Sequence, residues 1–156
     1  MQKEIKIILL FFILTLITSC GFKKINQDTP SIYLQEINVT GEKRIVYAIK
    51  NNIILLSDKN AVNKISVRLI IQTSKSNKIK NKKGKVTRYD FNINGNLILK
   101  NIRTKEIIKK SFSKNTDYAV GINHSDTINN ERNASKILVE RLSEQITNFI
   151  IFTFKN

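Results

Sequence analysis

Side chains able to do covalent or acid–base chemistry are few in this chain. It carries one Cys, Cys20, and one His, His124, in 156 residues. One Cys and one His cannot build a Cys/His zinc site, and a lone Cys forms no internal disulfide. His124 falls in a polar stretch with no adjacent nucleophile, where an imidazole is ordinarily a solvated side chain. The acids Asp58, Asp90, Asp117 and Asp126 form no local pair. No nucleophile elbow and no Gly-rich phosphate loop is present. The residue types call for no enzyme, no metal and no cofactor. Two features remain, a thiol at a fixed place near the N-terminus and a dense run of ammonium groups.

The thiol closes an export signal. Lys3 and Lys6 precede an apolar run from Ile7 to Ile17, broken only by Thr15. Those 11 residues would span about 16 Å as a helix, against the roughly 20 residues that a membrane-crossing helix needs. The run therefore reads as a signal-peptide core. It ends in Ile17-Thr18-Ser19-Cys20, and small residues before a Cys at this spacing resemble the bacterial lipobox. The resemblance implies cleavage before Cys20, lipidation of its thiol and acylation of the new amine. It also implies an outer-membrane destination, because Gly21 stands where an Asp commonly retains lipoproteins at the inner membrane. Residues 1–19 are then the signal peptide, 20–31 a lipidated tether and 32–156 a single domain.

The ammonium groups are unevenly placed. The chain holds 27 Lys+Arg against 12 Asp+Glu, a formal charge of +15. Its richness in Ile, Lys and Asn follows AT-rich codons, so the total charge is discounted. Clustering is not explained that way. From Lys64 to Lys114 there are 15 basic residues and two acids, Asp90 and Glu106. Lys75, Lys78, Lys80, Lys82, Lys83, Lys85 and Arg88 fall within one stretch that has no acid among them. Such a run is either a solvated face or a surface for a polyanion. Behind an export signal, nucleic acid is excluded topologically. Lipopolysaccharide phosphates or acidic loops of a barrel remain. Six ammonium groups with a single guanidinium, Arg88, suit diffuse electrostatic capture rather than a shaped phosphate pocket.

The elements that must hold these residues follow from periodicity. Ile32 to Val39 alternates loosely as a strand. Thr40 reads as the N-cap of a helix over 44–56, with Ile45, Ala48, Ile49, Asn52, Ile53 and Leu56 on one stripe. Ile65, Val67, Leu69 and Ile71 alternate with polar residues as a second strand. Residues 74–85 read as a basic hairpin tip. Tyr89 to Leu99 is a third strand, with a bulge expected at Asn94-Gly95-Asn96. Residues 106–114 make a polar edge strand, and 115–129 a loop holding Tyr118. A long helix from about Thr127 carries Ala134, Ile137, Leu138, Leu142, Ile146, Phe149 and Ile150. Its end, Phe149 to Phe154, is apolar on every side, more than one stripe absorbs. The order β-α-β-β-β-α gives an α+β, two-layer sandwich. Its four-stranded, mostly antiparallel sheet carries both helices on one face.

This order behind Cys20-Gly21-Phe22 resembles the LPS-assembly lipoprotein family, LptE. The likeness extends over nearly the whole mature chain. It includes Ile37-Asn38-Val39 before the first helix, the aromatic-aliphatic strand from Tyr89 to Leu99, Tyr118, and the helix from Asn133-Ala134 to Ile146. Lys23-Lys24 depart from the proline-containing stretch frequent after the lipobox. The resemblance implies a non-enzymatic plug inside the LptD outer-membrane barrel, which helps that barrel assemble and deliver lipopolysaccharide to the outer leaflet. The protein would then be lipid-anchored, facing the periplasm or lying within the barrel lumen. A second reading is a pilotin-like chaperone for another outer-membrane complex.

Overall fold

The computed structural model describes residues 32–154. The expected signal peptide and tether, with Cys20, lie outside the described residues. Six elements follow one another: β1 (Ile32–Thr40), α1 (Lys43–Ile54), β2 (Asn63–Lys80), β3 (Val86–Asn101), β4 (Ile107–Ala119) and α2 (His124–Thr153). They form the expected α+β sandwich. The sheet order is β1-β2-β3-β4. β1 pairs with β2 in parallel across the α1 crossover, and the other two pairings are antiparallel, so the sheet is mixed.

Side-chain alternation decides which face is covered. Ile65, Val67, Leu69 and Ile71 on β2 and Phe91, Ile93, Leu97 and Leu99 on β3 are buried beneath the helices. α1 adds Ile45, Ile49 and Ile53, and α2 adds Ala134, Leu138, Val139, Leu142, Ile146 and Ile150. The helices touch each other as well. The Asn52 amide on the α1 stripe donates to Ser143 Oγ at 2.8 Å. The opposite sheet face is left open. Its central rows join Gln72, Asn94 and Ser113, then Ser74, Asn92 and Asn115. A polar outer face opposite an apolar inner one is the usual state of an antiparallel sheet covered on one side.

Several boundaries differ from the sequence reading. Thr40 ends β1 rather than capping α1. The cap is Glu42, which makes no side-chain cap bond. Gly41 intervenes at φ +143°, and a Cβ there would lie 2.7 Å from the Ile71 carbonyl oxygen. The chain therefore needs glycine at this point to pass beside β2 before the helix can start. No bulge occurs at Asn94-Gly95-Asn96, where the β2–β3 register advances one for one. Gly95 instead faces the helices. A Cβ there would meet Leu69, Leu142 and Ile146 at 3.5–3.6 Å, ordinary contact. α2 starts at His124 behind Asn123, whose side chain accepts from the Asp126 amide at 2.8 Å. That cap supplies a partner for one of the first-turn amides. β4 is the edge strand expected, but it runs on to Ala119 and takes in Tyr118. Along α2, Ile137 is exposed and Val139 is buried in its stead. At the helix end Ile150 is buried, Phe149 packs edge-on against Phe112 at 5.6 Å, and Phe152 stays 81% exposed.

Candidate anion-binding hairpin

β3 stays in the sheet as far as Arg88, which pairs with Ala119 at the end of β4, so β2 and β3 project together only around their turn. From Gln72 onward β2 buries nothing, yet it stays paired with β3 to Lys80. Lys75, Lys78 and Lys80 are thus strand residues, and the turn proper is only Asn81–Lys85. Two polar clusters brace the arms, one on each side.

On the helix-facing side Lys75 Nζ lies 2.6 Å from Glu131 Oε2 on α2. It also stands over the Tyr89 ring at 4.5 Å and the Tyr118 ring at 5.5 Å. The two rings are 5.5 Å apart, and the Tyr118 hydroxyl donates to Glu131 Oε2 at 2.7 Å. Partial burial opposes the Lys75 charge, but Glu131 and Tyr118 outweigh it, and its pKa is raised. The Lys75 ammonium holds the Glu131 carboxyl below the usual carboxylate value. Burial pushes the Tyr118 phenol up.

On the open side Lys78 Nζ reaches Asp117 Oδ1 at 2.9 Å and Asp90 Oδ1 at 3.7 Å. The Arg88 guanidinium pairs with Asp117 Oδ2. Lys78 first and Arg88 second hold the Asp117 carboxyl down. Three of the seven basic candidates are therefore held by acids from other elements, although no acid lies among them in sequence.

The other four are differently placed. Asn81 organises the turn. Its Oδ1 accepts from the amides of Lys83 and Lys85, each at 3.0 Å, and its own amide donates to the Lys85 carbonyl at 2.8 Å. Gly84 supplies the positive φ, +77°. Lys80, Lys82, Lys83 and Lys85 surround this turn, all exposed and none in an ion pair with another described residue. A separate cleft between α1 and the first half of α2, lined by Tyr47, Phe91, Ile128 and Arg132 among others, holds none of the seven. Glu131, Asp117 and Tyr118 were absent from the sequence-derived site. The one available signal is that Tyr118 shares the parity of Phe112, and it is usable only once 115–119 is known to be strand.

The Lys75–Glu131–Tyr118 contact latches the hairpin to α2. Glu131→Gln should speed amide exchange over 72–80 while costing less than about 1 kcal/mol of global stability, as exposed pairs do. The pH dependence follows from direction. A carboxyl with a lowered folded pKa contributes fully above its unfolded value of about 4.3 and loses that contribution as pH falls through the lower folded value. Exchange over 72–80 should thus be insensitive to pH-driven opening near neutrality and rise only under acid. Opening between pH 6 and 8 would contradict the latch.

Solved structures with this architecture exist. The rare lipoprotein B of Shewanella oneidensis superposes with a TM-score of 0.51 at 16% identity, covering 76% of this chain and 92% of its own. The chain has the lipoprotein B fold. Lipoprotein B of Nitrosomonas europaea gives 0.54 at 16% identity, with 85% and 92% covered. No family model and no curated protein matches the sequence.

Proposed function

We propose that this protein is an outer-membrane lipoprotein of the LptE type. Anchored by acyl chains on Cys20, it plugs and helps assemble the LptD barrel and takes part in delivering lipopolysaccharide to the outer leaflet. It does this by binding and not by catalysis. The lipobox, the LptE-like element order and the lipoprotein B fold support the reading. The observation that carries it is the projecting hairpin whose turn holds Lys80, Lys82, Lys83 and Lys85 without acidic partners among the described residues.

These four ammonium groups suit the phosphates of lipid A as point charges. Near an anionic membrane such groups contribute about 1 kcal/mol each, decaying over a Debye length of about 8–10 Å. Changing all four to Gln should weaken lipopolysaccharide binding by at least about tenfold at low salt, an effect that salt then erases. The exposed sites should cost less than about 0.5 kcal/mol of stability each. Lys75, Lys78 and Arg88 are expected to contribute less, since binding must compete with Glu131, Asp117 and Asp90. Wild-type affinity in the quadruple variant would reduce the turn to a solvated loop. A detergent pull-down of the lipidated chain should recover LptD in one-to-one amount. Recovery of a different secretion barrel would favour the pilotin-like reading.

A further inference from the structure

We infer that the end of the domain opposite the hairpin is a docking surface for the anionic phospholipid headgroups of the leaflet that holds the anchor. This rests on the reading of Cys20 as lipidated. It concerns a surface and a ligand distinct from those of the hairpin.

The backbone brings four segments to this end. Ile32, where β1 begins, pairs with Asn63 and bridges to Ser57. Its carbonyl accepts from the Asp58 amide at 2.8 Å. The Ile102 amide donates to the Lys64 carbonyl at 2.8 Å, and Lys100 pairs with Ile107. The end of α1, the α1–β2 loop, the start of β2 and the β3–β4 turn therefore meet around the residue at which the tether joins the fold. The hairpin turn lies at the far end of β2, 18 residues or about 55–60 Å away.

Two kinds of side chain project here. Leu55 is 82% exposed, Val62 72% and Ile107 54%. Single exposed apolar residues are unremarkable, but these three share one end with a basic rim. Lys59, Lys64, Lys100, Arg103 and Lys105 are exposed, and none pairs with another described residue. On the open face the adjoining row adds Arg68 and Lys109 on either side of Ile98. The carboxylates nearby are Asp58, Glu106 and Glu36, the last accepting from Ser66 Oγ. Cations outnumber them about two to one. Apolar side chains set among Lys and Arg are the composition of an interfacial membrane contact, with stems in the headgroup layer and charges at phosphate level.

The anchor selects the occupant. Cys20 precedes Ile32 by 12 residues, a span of at most about 40 Å. Acyl chains on Cys20 would keep this end within that distance of the leaflet, whereas the hairpin turn can lie much farther off. A short linker keeps the two at an effective concentration on the order of millimolar. A patch too weak to bind a vesicle unaided would then still be engaged.

The test uses the full lipidated chain in vesicles. Lipidation consumes the native thiol, so Val62→Cys supplies a unique labelling site, and Lys82→Cys on the hairpin turn is the control. Each is labelled with bimane. The vesicles are phosphatidylcholine alone or phosphatidylcholine with phosphatidylglycerol, both doped with headgroup-level nitroxide lipid. Quenching at position 62 should be several-fold stronger with phosphatidylglycerol, and position 82 should be quenched little in either. High salt, or Gln at Lys59, Lys64, Arg103 and Lys105 together, should remove the excess. A chain that co-floats with vesicles but shows equal quenching at 62 in both lipids, or more at 82 than at 62, overturns this inference alone. A chain that does not co-float overturns the lipidation reading and this inference with it.

Discussion

Leu142→Ala should cost about 2–5 kcal/mol of unfolding free energy, a large share of the 5–15 kcal/mol that holds a typical domain. Leu142 is fully buried on α2. Its Cδ2 lies 3.6 Å from where a Cβ on Gly95 would sit, at the centre of β3. Truncation removes apolar contact at the one place where the sheet presents no side chain of its own, so neighbouring groups are poorly placed to refill the space. The same geometry makes a companion prediction. Gly95→Ala fits in ordinary contact and should be neutral or slightly stabilising. Gly95→Val meets Leu69, Leu142 and Ile146 and should cost about 1–3 kcal/mol. In the Leu142→Ala background the Val finds room, and the two changes should couple by about 0.5–3 kcal/mol in the compensating direction. Urea unfolding of the four variants measures this. Strict additivity would mean that the helix does not rest on Gly95.

Cys20→Ala should abolish acylation and leave the signal peptide in place. The variant should migrate as a precursor heavier by residues 1–19 and incorporate no palmitate in metabolic labelling. The physical stake is large, since each buried CH₂ contributes about 0.8 kcal/mol and a single acyl chain anchors only marginally. Several chains on one residue make attachment effectively permanent, whereas a diffuse lysine patch is reversible and salt-sensitive. Palmitate label that survives in the variant would refute the lipobox. The hairpin chemistry would be untouched by that result, because the turn owes its form to Asn81 and Gly84.

The inward faces were legible because burial writes itself into alternation. Ile65 to Ile71 and Phe91 to Leu99 keep one parity, and Ile45, Ile49 and Ile53 keep the helical one. The outer half of β2 is not legible. Residues 72–80 carry Lys, Ser and Asn with nothing buried, so no hydrophobic pattern marks them as strand. They are held by the ladder to β3 and by partners far away in sequence, such as Asp117, 39 residues from Lys78. The stretch 115–119, polar apart from Tyr118 and Ala119, looks like loop for the same reason, although it is the end of β4. Its role is to supply Asp117 and Tyr118 to side chains of another hairpin arm. The basic cluster was found as a run but could not be divided from sequence, because its division depends on which acids the register brings alongside. Thr40 has the chemistry of a cap and lost that role to geometry, since the close pass of Gly41 by Ile71 postpones the helix.

The parallel pairing of β1 with β2 bears on how the molecule carries tension. The lipid would hold the chain at the start of β1, and β2 runs in the same direction toward the hairpin, where the partner is proposed to sit. A pull between the two ends drags β1 and β2 in opposite senses along their common axis. The eight registered residue pairs between them, Ile32 to Thr40 against Asn63 to Ile70, are then loaded together and not one after another. Strands sheared in this way yield only when the whole set breaks, whereas strands peeled from one end yield pair by pair. The edge strand β1 is thus joined to the sheet in the orientation that would resist being drawn out by a lipid on Cys20.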